Sequence, residues 1–172
     1  GIGESFLREL DEIKYFAVIA IVYRGQCSGS VQADRHGRPN MKFKVPDFEA
    51  RNVFRGMKIA ADGFLDVGAR YVAAGTMPGV PSKMRNKADT STLLSTKLGA
   101  KHMAMTGNHA FGSCRMSAAS NEGPVDRDGK VRGVEGVYIC DTSIFPSPTA
   151  VNPQATCMAM ADVLTRRMIA RA

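Results

Sequence analysis

Three short stretches of the sequence hold residue types that could do chemistry. His109-Ala-Phe-Gly112-Ser113-Cys114-Arg115-Met116 offers an imidazole, the side chain that is basic yet neutral near pH 7 and so suited to taking a proton from a hydroxyl group. Asp141-Thr142-Ser143 follows the apolar run Gly136-Val-Tyr-Ile-Cys140 and places a carboxylate at the end of an expected strand. Asn152-Pro153-Gln154 opens an expected helix whose first turn carries unpaired N–H groups and the positive end of the helix dipole, a natural seat for negative charge. Asn152 reads as the N-cap of that helix and Pro153 as its first residue. The carboxamide of Asn152 could cap the helix or hold a substrate oxygen, but not do both fully.

Each stretch also has a plain structural use. Asn152-Pro153 is adequate as a helix start, and Asp141 as an Asx-turn residue. Cys114 and Arg115 are assigned only the ordering of their loop. His102 with Cys114 fits no metal spacing and reads as structural, His36 as an exposed turn residue. Asp126 and Asp128 before Gly129 lack the later ligands of a calcium loop and read as a tight turn. No metal site is expected.

The elements that must position these residues come from pattern. Residues 4–14 are polar and suit a short helix or a loose lead-in, while the run Tyr15–Tyr23, with its flanking Arg24, reads as a buried strand. SVQAD and MKFKV around Arg35-His36-Gly37-Arg38-Pro39 predict a β-hairpin. Asp47 is the expected N-cap of a long helix over about 47–68, carrying Phe48, Val53, Phe54, Met57, Ala60, Ala61, Phe64 and Leu65 largely on one face. That helix is expected to pack on an antiparallel sheet. Arg70–Ala73 is strand-like, and 75–108 is a long loop of irregular composition. Val125 to Val131 predicts a turn between two short strands, Gly136–Cys140 a further strand, and Pro153–Ala170 a terminal helix in which Met158, Met160 and Met168 fill the core.

Taken in order, the three stretches resemble the C-terminal end of the glucose-methanol-choline (GMC) flavoprotein oxidoreductases, with the close match over about His109 to Ala170. The resemblance implies an α+β fold: an antiparallel substrate-domain sheet with covering helices over 1–108, and over 109–172 the active-site loop with a C-terminal strand and helix that complete an FAD-binding domain. It implies FAD as cofactor, a small-molecule alcohol as substrate, and hydride transfer from the CH–OH group to flavin N5. His109 then matches the catalytic base and Asn152 the second catalytic position, as in the choline- and cholesterol-oxidising branches. Asp141 and Thr142 fall beside the ribityl and pyrophosphate part of FAD, and Asn152, Pro153 and Gln154 against the isoalloxazine ring.

The family's GxGxxG turn, which holds the ADP half of the dinucleotide, has no counterpart in these 172 residues. The expectation is therefore a C-terminal catalytic portion, cleaved, truncated or half of a split enzyme, partnered by an N-terminal FAD-binding segment or subunit and inactive without it. Gly1 in place of Met points the same way. The alternative is a non-enzymatic interaction module that keeps the fold.

Composition bounds the other classes. With 44% hydrophobic and 23% charged residues the chain is globular, and at 172 residues it can hide roughly 70% of its unfolded surface. The net charge of +7 is spread without a run of five like charges, which disfavours a nucleic-acid partner. The longest apolar run falls well short of the ~20 residues a membrane helix needs, and no secretory signal precedes it, so a cytoplasmic location is expected. The four cysteines, Cys27, Cys114, Cys140 and Cys157, show no CxxC pair and are expected to be reduced thiols.

Overall fold

A computed structural model describes residues 3–26, 28–75, 77–103, 107 and 109–170; the expected thiol of Cys27 lies outside them. Cys114, Cys140 and Cys157 are free. The element order is α1 (Glu4–Glu12), β1 (Gly29–Ala33), β2 (Pro39–Phe43), α2 (Asp47–Asp66), α3 (Lys87–Ser91) and α4 (Gln154–Ile169), with short 3-10 turns at Ile13–Tyr15, Thr92–Leu94, Ala100–His102 and Thr142–Ile144. The fold is α+β with a two-stranded antiparallel sheet.

The hairpin forms where the turn residues place it, pairing Gly29 with Phe43 and Ala33 with Pro39. Asp34 closes it: its carboxylate accepts the N–H groups of His36 and Arg38, and Gly37 takes the left-handed conformation (φ 73°). Both strands are exposed at every position, so the expected sheet with a helix on its face is not what α2 covers. Instead α2 packs against α3 and the Thr92–Leu94 and Ala100–His102 turns, and the core is Ala50, Phe54 and Ala61 against Met77, Val80, Met84, Leu93 and Leu98. The segment expected to be an irregular loop thus supplies the other half of a core.

Five local expectations are corrected. Residues 16–26 join no ladder, and Val18 is 91% exposed, because no second strand among the described residues lies beside the run. Arg70–Ala73 contributes one bridge, Val72 to Met84, and Gly136–Cys140 one bridge, Tyr138 to Lys130, each too short to be a strand. Pro46, not Asp47, occupies the N-cap position of α2; Asp47 sits inside the first turn, where its Oδ1 accepts the Ala100 N–H at 3.3 Å and its charge suits the dipole. At α4 the N-cap position falls on Pro153, leaving Asn152 outside the helix and not capping it.

One ion pair gives the first core a pH dependence. Asp62 accepts from Lys58 Nζ (2.6 Å) and from the hydroxyl of buried Thr90 (2.6 Å), and these bonds, the lysine's first, hold its pKa below the ordinary 3.8. A carboxylate whose folded pKa is depressed adds stability above its unfolded value and loses it as pH falls through the folded one. Thermal melts of the wild type are expected to lose stability as pH drops below that ordinary value, and those of Asp62→Asn to change less over the same range; parallel curves would contradict the assignment.

Candidate active site

The second core joins the three chemistry-bearing stretches. Val125, Ile144, Phe145 and Leu164 are buried together, with Phe111, Cys114, Met116, Val131, Ile139, Cys157 and Met160 packed around them. The His109 stretch contributes Phe111, Cys114 and Met116, the Asp141 stretch Ile144 and Phe145, and the helix begun at Asn152 contributes Cys157, Met160 and Leu164. Residues far apart in sequence are therefore layered into one cluster by apolar burial.

Hydrogen bonds fix the first two stretches to each other. The Cys114 N–H donates to Ser143 O (3.0 Å) and the Met116 N–H to Ile144 O (2.8 Å), while Thr142 Oγ1 donates to Ala110 O (2.8 Å). Phe111 and Phe145 stack obliquely with centroids 5.8 Å apart. The loop carrying His109 is thus tied, one residue beyond the imidazole, to the turn carrying Asp141. Arg115 and Arg132 order the neighbouring chain by donating to Glu122 O, and to Gly123 O and Ser117 O. Arg115 has the loop-ordering use expected of it.

The turn over 125–131 forms as read. Asp126 Oδ1 accepts the N–H groups of Asp128 and Lys130, Val125 bridges Val131, and Gly129 sits at φ 79°. A Cβ at Gly129 would lie 3.1 Å from both Ile139 O and Leu164 Cδ1, whereas at Gly133 (φ 75°) it would meet nothing within 4 Å. Gly133→Ala is expected to cost about 1–2 kcal/mol for the left-handed backbone alone, and Gly129→Ala more, because the clash adds to the same dihedral penalty. Denaturant melts that rank the two in the reverse order would contradict this packing.

His109, Asp141, Asn152 and Gln154 are exposed, Thr142 is half-buried and Pro153 is buried. Asp141 Oδ1 accepts the Ser143 N–H at 2.7 Å and caps the Thr142–Ile144 turn, the Asx-turn use weighed above. The side chains of His109, Asn152 and Gln154 make no hydrogen bond among the described residues. At the start of α4 the N–H groups of Gln154, Ala155 and Thr156 find no acceptor there either; the first intrahelical bond is Cys157 N–H to Pro153 O (2.7 Å). This is a donor set suited to an electron-rich, partly anionic ring edge, so the residues fit a flavin pyrimidine ring. The missed signal was Pro153: a proline with no N–H of its own can stand at the cap position and free the preceding asparagine side chain.

His102 plays the structural part expected of it, its Nδ1 accepting the Gly99 N–H at 3.0 Å. Two concave surfaces of about 250 and 620 Å³ flank α2 and the 93–102 segment, and none of the motif residues lines either. No helix among the described residues is long and apolar enough to cross a membrane.

Comparison with known proteins adds the missing context. The profile of the family described as GMC oxidoreductase matches residues 24–161. An uncharacterized GMC-type oxidoreductase of Mycobacterium tuberculosis is 29% identical over 171 residues, covering 99% of this chain and 27% of its own length. A long-chain-alcohol oxidase of Arabidopsis thaliana is 29% identical over 162 residues, covering 88% of this chain and 21% of its own length, and another is 26% identical over 176 residues, covering 96% and 23%. The chain spans about a quarter of the length of these curated relatives. No solved structure is significantly similar.

Proposed function

Because the chain belongs to the GMC oxidoreductase family, we propose that it is the C-terminal catalytic portion of an FAD-dependent alcohol oxidoreductase, with His109 as base and Asn152 as the second polar group at the reacting carbon. The observation that supports this best is the open start of α4: three N–H donors without an acceptor, flanked by uncommitted carboxamides at Asn152 and Gln154 and rooted in the same core as the His109 loop.

In this reading the first turn of α4 holds the pyrimidine edge of the isoalloxazine ring, Pro153 shapes the approach, and Asp141 and Thr142 lie toward the ribityl and pyrophosphate part. Asp141 keeps one carboxylate oxygen for the Ser143 N–H and has the other to offer. When bound, FAD supplies the acceptor for the hydride that leaves the alcohol carbon, and the alcohol becomes a carbonyl compound. His109 takes the hydroxyl proton, and Asn152 donates its amide N–H to the same oxygen as charge develops there. Asparagine at this position is the arrangement that aligns the chain with the choline- and cholesterol-oxidising branches. The long-chain-alcohol oxidases among the relatives make long aliphatic alcohols the first substrates to test.

By itself the chain is expected to bind FAD weakly, since it has no GxGxxG turn for the pyrophosphate. Flavin fluorescence after gel filtration of the 172-residue chain with FAD checks this, and stoichiometric retention would contradict it. The function itself is tested by anaerobic mixing of the complete flavin-containing protein with a long-chain primary alcohol: bleaching of the flavin absorbance is expected, and an unchanged spectrum with long-chain, sterol and short-chain alcohols alike would refute it.

A further inference from the structure

Residues 16–26 run extended and antiparallel along α2. Gln26 N–H donates to the buried carboxylate of Glu49, Tyr23 Oη accepts from Asn52 Nδ2 at 3.2 Å, and Ile21 Cγ2 sits over Gly56, within 3.0 Å of where a Cβ would be. Phe16 meets Tyr71 edge-on at 5.9 Å. The segment is therefore anchored to α2 at three points and to Tyr71 at a fourth.

Its other sides are open. No backbone hydrogen bond among the described residues involves 17–25, so both edges present unpaired N–H and C=O groups. On the face turned from α2, Val18 is 91% and Val22 74% exposed. The chain offers an anchored, β-branched strand with no neighbours, the arrangement that strand addition completes.

We propose that residues 17–25 are a docking strand, and that its occupant is an extended segment with alternating apolar side chains from the part of a GMC polypeptide outside these 172 residues. Two observations favour that occupant. A relative that aligns with nearly all of this chain, this segment included, carries about three times as much polypeptide again, and Phe16, Val18, Ile19, Val22 and Tyr23 put exposed apolar side chains close together along one short run. The inference rests on the reading of the chain as one portion of a longer enzyme, and it does not depend on flavin.

The test is amide hydrogen exchange of the 172-residue chain, alone and mixed with the unmatched portion of the Mycobacterium tuberculosis relative produced as a separate polypeptide. Amides 17–25 are expected to exchange freely in the chain alone and to slow by roughly 100-fold or more in the complex. Val18→Lys and Val22→Lys, which alter exposed side chains and leave the α2 contacts in place, are expected to weaken the complex by roughly tenfold or more each without shifting the chain's own melting temperature. The proposal is overturned by a failure to form the complex, by a complex that leaves 17–25 unprotected, or by protection in the chain alone that grows with its concentration, which would make a second copy the occupant. A complex that protects 17–25 but takes up no FAD would contradict the flavin reading and leave the docking strand intact.

Discussion

His109→Ala in the complete flavin-containing protein is expected to slow flavin reduction by roughly 10²- to 10⁴-fold, the usual contribution of a positioned base. The loss arises because hydride leaves the alcohol carbon readily only as the hydroxyl proton departs, and methyl has nothing to receive it. The same substitution is expected to change stability by less than about 0.5 kcal/mol, since the imidazole is exposed and its loop is held by Ala110, Phe111 and Cys114 rather than by the ring. Single-turnover reduction measured by stopped flow, beside a denaturant melt of the same variant, separates chemistry from folding. Unchanged reduction removes His109 from the mechanism.

Leu164→Ala is expected to have the opposite profile. Leu164 is 2% exposed, its methyls face the Gly129 backbone, and it packs with Val125, Ile144 and Phe145. Truncation opens a cavity beneath both the Asp141 turn and α4, at about 2–5 kcal/mol. That is a large share of the ~5–15 kcal/mol that holds an ordinary domain together. A lower denaturation midpoint with faster flavin loss in the complete protein is expected, with the intrinsic rate of reduction in the remaining loaded enzyme much less affected. A variant as stable as wild type would mean that the second core does not carry the site.

The hairpin, α2 and α4 could be read because their signals are local: Gly37 after Asp34, an apolar face repeating along 47–66, and an apolar-periodic run behind Pro153. The turn at Asp126–Gly129 was legible for the same reason. The run at 15–24 was misread as a buried strand, because an apolar, β-branched run does not report whether a neighbouring strand is present to pair with it. Gly136–Cys140 failed similarly: β-branched residues were there, but the chain grants only the single bridge at Tyr138. The core built by Met77, Val80, Met84, Leu93 and Leu98 was hidden in a segment rich in Gly, Pro and Ser, where spacing gives no face to follow.

For the candidate site, the sequence singled out three stretches without showing that they share a core. What joins them is the pairing of 114–116 with 143–144 and the insertion of Leu164, contacts between residues tens of positions apart. One local detail differs from the expectation: the cap position falls on Pro153, and Asn152 lies outside the helix without capping it.

In the proposed function an imidazole from the 109 loop and a carboxamide from the start of α4 act on one alcohol oxygen. A crystal structure of the complete protein with FAD and a bound alcohol or its carbonyl product measures this directly. His109 and Asn152 nitrogen atoms are both expected within about 2.6–3.2 Å of that oxygen, on the same face of the isoalloxazine ring. Side chains that approach from opposite faces, or an oxygen held by neither, would contradict it.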